Sequence, residues 1–186
     1  GLRALSSSVR IPVPVHAAAA LSEHPLATHA LGECVGQLME TGGTHPDLLV
    51  LACTAPYQGA LEDIVGAARQ LLSPSVLVGS GAVGVLAGRR EVDAHAGLAM
   101  FAWWCGGPAT AGSASAPLVR GVRLGRDDVR VLDASGPGLT ALAGAAGTLV
   151  LFADEFSWDP TDLLASLHAH APGVKVVGGF VGAARH

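Results

Sequence analysis

Apolar residues recur along this chain with two different periods. Leu26, Ala30, Leu31, Cys34, Val35 and Leu38 follow a spacing near 3.6, so residues 25–40 read as a helix with one apolar face. Pro25 suits its first position and Gly42-Gly43 its end. DLLVLACTA (47–55) is a short unbroken apolar run, the pattern of a buried strand. LEDIVGAARQLL (61–72) returns to helical spacing through Leu61, Ile64, Val65, Ala68 and Leu72, and SVLVGS (75–80) is a second buried strand. Strand, helix and strand in this order make a β-α-β unit, whose crossover brings the two strands parallel.

The same order returns near the end of the sequence. GTLVLFADEF (147–156) reads as a strand, Asp159 as the N-cap and Pro160 as the first residue of a helix through Leu163, Leu164 and Leu167. Pro172-Gly173 stops that helix before the strand VKVVGG (174–179). Between the two units, GLAMFAWWCG (97–106) is apolar on both alternating faces and belongs in a sheet interior. PLVRGVRLG (117–125) is a weaker strand, GGPATAGSASAP (106–117) a small-residue loop, and residues 133–147 a turn with a poorly patterned apolar stretch. Residues 1–20 read as an irregular N-terminal segment. The expected fold is therefore α/β: a mixed β-sheet with flanking helices, its two β-α-β units forming an internal structural repeat and the middle segment adding antiparallel strands.

With 186 residues, the chain is one domain of ordinary size or a piece of a larger protein. Charged residues make up 14 %, against roughly a quarter in typical soluble domains, and mean hydropathy is +0.46. Alanine and glycine supply much of that apolar content, so either a GC-rich coding bias or a covering domain or partner accounts for it, and the two are compatible. A net charge of −4, spread without blocks of one sign, offers no footprint for nucleic acid or an anionic membrane. No apolar stretch is long enough for a transmembrane helix, and Pro12 and Pro14 interrupt any signal-peptide core. Cys34, Cys53 and Cys105 stand far apart without zinc-like grouping, as expected of small buried thiols in a reducing cytoplasm.

Gly79-x-Gly81-x-x-Gly84 follows a strand, which is the spacing of a dinucleotide-binding loop. That chemistry requires a helix opening at the third glycine, whose amides and dipole hold the pyrophosphate. Here a short apolar strand and a turn follow, and Ala99 occupies the place of a ribose-binding acid. The glycines are expected instead to give a tight reversal with positive φ and a close backbone approach, to a neighbouring segment or to a ligand. Thr54, Ser80, Asp154 and Gly178 fall at or near the C-terminal ends of predicted strands, the edge where open α/β sheets place small-molecule sites.

Other chemistries find less support. Ser80 lies in Gly-Ser-Gly rather than in a nucleophile elbow, and adjacent Asp154 and Glu155 point to opposite sides of a strand. His24 and His29 are five apart and His168 and His170 two apart, neither the i, i+4 pair that shares a helix face. A haem needs only one of the eight histidines as axial ligand, and spacing neither supports nor excludes it. Trp158 reads as a hydrophobic cap on the last helix in preference to a pocket-rim residue stacking on a ligand.

Taken together, LSEHPLATHAL (21–31), HPDLLVLACTAPY (45–57), SVLVGSGAVGVLAGRREVD (75–93), LAMFAWW (98–104) and the run from Leu149 to Ala184 resemble the N-terminal part of the FIST sensory domain. Each motif is unspecific alone; their order and spacing carry the resemblance, which covers most of the chain. It implies a non-catalytic cytoplasmic module of intracellular signal transduction that senses small molecules such as amino acids, in a family not established as enzymes and with haem carried by some relatives. It makes Thr54, Gly79, Ser80, Gly81, Asp154, Gly178 and Gly179 candidates for a pocket wall, with no catalytic residue and no metal. FIST proteins continue past the equivalent of GGFVGAARH, so a C-terminal FIST domain or a second copy is the expected cover for exposed apolar surface. A haem sensor and a ligand-free interaction scaffold are the competing readings.

Overall fold

A computed structural model describes residues 16–104, 147–154 and 159–181. Its first part is a four-stranded mixed sheet in the order β1-β6-β2-β3, built from β1 (His16–Ser22), β2 (Leu48–Cys53), β3 (Val76–Gly81) and β6 (Leu98–Trp104). β2 and β3 run parallel, with Leu48 opposite Val76 and Cys53 opposite Gly81, while β6 is antiparallel to both β1 and β2. The apolar LAMFAWW run thus takes an interior position, as its two apolar faces require.

Helices α1 (Ala27–Gly42) and α2 (Leu61–Leu72) cover one face of this sheet. Ala30, Leu31, Cys34, Val35 and Leu38 of α1 and Ile64, Ala68 and Leu72 of α2 pack on Leu49, Leu51 and Cys53 of β2 and on Leu98, Met100 and Ala102 of β6. Helical spacing selects these residues together with Leu61 and Val65, which pack on the core half-buried, and Leu26, which lies at the N-cap and is exposed. Truncating a fully buried member such as Leu38 to alanine costs about 2–5 kcal/mol.

Two boundaries differ from the sequence expectation. Residues 16–20 are strand rather than irregular: four consecutive alanines have little strand preference of their own, but Trp103 to Met100 of β6 pair with them in register. α1 starts two residues after Pro25, because the His24 imidazole precedes the helix and its Nδ1 accepts from the Leu26 N–H at 3.1 Å. Gly43, with φ 77°, ends the helix where the glycine pair predicts.

After β3 the chain enters a hairpin, β4 (Gly84–Ala87) and β5 (Arg90–Asp93), turning at Gly88 with φ 62°. Val85 and Val92 pack with Leu21 and Ala99 at one end of the sheet face opposite the helices. A second parallel unit, β7 (Gly147–Asp154), α3 (Pro160–His170) and β8 (Val174–Val181), forms a two-stranded sheet of its own with Leu167 of the helix and Ala171 at its C-cap against it. Both units have the predicted strand-helix-strand order and parallel pairing. Among the described residues they lie in separate sheets, so the expected internal repeat is matched in that order and pairing alone. The expected strand at 117–125, the loop at 106–117, the stretch 133–147 up to residue 146, Cys105, Glu155 and Trp158 lie outside the described residues.

Candidate functional site

The C-terminal ends of β2 and β3 bring together four of the residues singled out by sequence: Thr54, Gly79, Ser80 and Gly81. Pairing continues one residue past β3, the Ala82 N–H donating to the Cys53 carbonyl at 2.8 Å. Among the described residues β3 is the edge of its sheet, so the backbone of its outer side faces no further strand.

Thr54 is buried and fully engaged. Its N–H donates to the Gly97 carbonyl at 3.0 Å, its hydroxyl donates to the His95 carbonyl at 2.5 Å, and the Gly97 N–H donates back to Oγ1 at 2.8 Å. The residue clamps the approach to β6 onto the end of β2. Ser80 is half-buried, and its hydroxyl donates to the Gly81 carbonyl at 2.9 Å.

None of Gly79, Gly81 or Gly84 has positive φ, so these glycines do not form the left-handed reversal that their spacing suggests. The chain bends at Val83 before β4, and the positive-φ turn falls at Gly88 instead. What the first two glycines provide is space: a Cβ on Gly79 would stand 2.7 Å from Val65 Cγ2, and one on Gly81 2.6 Å from Gln58 Nε2. No helix opens at Gly84, in keeping with the rejection of a dinucleotide loop.

Sequence reasoning missed Gln58. It lies in the 3-10 turn Ala55–Ala60 that links β2 to α2, and its Nε2 is buried over Gly81 without a hydrogen-bond partner. Such an orphaned donor is uncommon in a folded chain. No local pattern in APYQGA signals it, since its role depends on the close approach of β3. Tyr57, one residue earlier, donates its hydroxyl to the His24 carbonyl and ties the same turn to the segment before α1.

Asp154, Gly178 and Gly179 lie in the other sheet. Leu151 pairs with Gly178, Phe152 with Gly179 and Asp154 with Val181. Gly178 has φ 143°, and a Cβ there would sit 2.0 Å from the Leu151 carbonyl oxygen, which accounts for glycine at this position without a ligand. The seven candidates therefore form two groups in two sheets.

Both described cysteines are structural. Cys34 and Cys53 are buried, and burial, with Glu33 nearby, pushes the Cys34 thiol up to about 12. Burial raises Cys53 as well. Neither is an activated thiolate at neutral pH. His24 and His29 stack, ring centroids 4.6 Å apart and planes 12° apart, which helical spacing does not predict because His24 precedes the helix. Among the described residues no group of three or more His, Cys, Asp or Glu could hold a metal ion.

The family model described as the FIST N domain matches residues 47–186. The chain belongs to the FIST N family. FIST domains are in general sensory domains of signal transduction. The chain is 26 % identical over 174 residues to "Uncharacterized protein Rv0628c" of Mycobacterium tuberculosis, covering 89 % of this chain and 40 % of the relative. It is 27 % identical over 169 residues to "Uncharacterized protein Mb0898c" of Mycobacterium bovis, covering 87 % and 39 %. This FIST N chain thus spans about two-fifths of the length of those relatives. No solved structure matches it significantly. Among the described residues no helix is long and apolar enough to cross a membrane.

Proposed function

We propose that this FIST N chain is a non-catalytic sensor of a small molecule such as an amino acid, held against the C-terminal ends of β2 and β3. The observation behind this reading is the unpartnered Gln58 Nε2 over Gly81, at the strand-end edge where α/β sheets commonly take ligands. A ligand carbonyl or carboxylate oxygen satisfies that donor when the Gln58 side chain, which lies over Gly81, turns out to meet it. Thr54 and Ser80 spend their hydroxyls on protein carbonyls, and the donor left over, Gln58 Nε2, is uncharged, which fits recognition without a reaction.

The test is a thermal-shift screen with the twenty amino acids and small organic acids. A binder at one hundred times its Kd stabilises by about 2.7 kcal/mol, a shift of several degrees in a domain of this size. Gly81→Val, which fills the space beneath Gln58, is expected to remove the shift while the protein still melts cooperatively. A full shift retained in that variant contradicts the placement, and no shift with any compound contradicts the sensor reading. Haem is included in the screen: a Soret band lost in a single His→Ala variant favours the haem sensor instead.

A further inference from the structure

Among the described residues the four-stranded sheet carries helices on one face only. On the other, Val50, Val78 and Trp103 are half-buried, Ala19 is exposed and Phe101 is 40 % exposed. Register places them side by side: Val50 is opposite both Val78 and Phe101, and Phe101 is opposite Ala19. The β4–β5 hairpin closes one end of this face, over Leu21 and Ala99. The second unit repeats the asymmetry, with Leu167 and Ala171 on one side and Val150, Phe152 and Val177 exposed on the other. Parallel strands are ordinarily buried on both faces, so each sheet has one layer of cover and an apolar side for another.

We infer that the open face around Phe101 is a docking surface for the region that the longer relatives carry outside the match, packing on it as a second apolar layer. Two observations select that occupant. The match covers 40 % of Rv0628c, leaving roughly three-fifths of that chain to supply the layer. The face is also small: four strands about 4.8 Å apart and some five residues of about 3.4 Å offer roughly 300 Å². Free-standing complexes bury about 800 Å² on each partner. A face of this size holds a layer of the same polypeptide, presented at millimolar effective concentration, better than a second copy arriving from solution.

Maleimide labelling tests this. Phe101→Cys in the 186-residue chain, and a cysteine at the aligned position of full-length Rv0628c, are labelled under identical conditions, with the unsubstituted proteins as background. The expected result is fast labelling of the 186-residue chain as a monomer and labelling at least tenfold slower in Rv0628c. Should the Rv0628c variant misfold, a cysteine at the position aligned with Val78, a smaller change on the same face, gives the same reading. Equal rates in the two proteins overturn the inference, as does slow labelling of the monomeric 186-residue chain. Slowing that appears only as this chain dimerises at higher concentration assigns the face to a second copy and overturns it too.

Discussion

At the residue scale, the glycines of this chain divide by what stands next to them. Gly178 faces a backbone carbonyl and has positive φ, so nothing can move to admit a side chain. Gly79 meets Val65 and Leu51, side chains held in the core, and Gly81 meets the free end of a glutamine. Alanine substitution is therefore expected to destabilise in the order Gly178, Gly79, Gly81, with Gly79→Ala costing about 1–3 kcal/mol and Gly81→Ala under 1 kcal/mol. Urea melts of the three variants check the order; Gly81→Ala as the most damaging would contradict this account of the strand end. Thr54→Val is expected to cost about 1–3 kcal/mol, because it leaves the buried Gly97 N–H without its acceptor. The motif was legible in sequence only as a spacing. That Gly81 makes room for Gln58 depends on two segments meeting in space, which one-dimensional spacing does not encode.

At the element scale, apolar patterning located most described helices and strands, but not β1, the short polar β5 or the 3-10 turn Ala55–Ala60. It succeeded for α1 and α2 because each buries one stripe against a sheet. It failed for β1, where an alanine run has no period of its own and becomes strand by pairing with β6. α3 was legible from its start: the Asp159 carboxylate accepts from the Thr161 N–H at 2.8 Å and the Asp162 N–H at 3.3 Å, with Pro160 fixed in the first turn. Asp159→Ala is expected to cost about 1 kcal/mol, read as a lower urea midpoint with an unchanged m-value. Asp159→Asn keeps an acceptor and should recover most of that loss. If Asn and Ala behave alike, the hydrogen bonds are not what starts the helix.

At the scale of the whole molecule, the fold class was legible, but how the two β-α-β units combine was not, since strand order across separate sheets leaves no local trace in sequence. Buried thiols give the whole domain an alkaline limit. Cys34 titrates near 12 when folded and near 9 when exposed, so between those pH values the unfolded chain has lost a proton that the native chain keeps. Stability is full below about pH 9 and falls towards pH 12, by at most about 1.4 kcal/mol per pH unit for this thiol. Cys34→Ala is expected to flatten that decline, measured as urea stability from pH 8 to 11; an unchanged slope would show that the thiol does not set it.

The claim on which the functional account rests is that a small molecule meets the chain at the ends of β2 and β3. Amide chemical shifts followed by NMR during titration with a compound found in the thermal screen test it most directly. Shifts concentrated at Thr54, Gln58 and residues 79–82, including the Gln58 side-chain amide, are the predicted result; shifts confined to other parts of the sheet, with these amides unmoved, would contradict it.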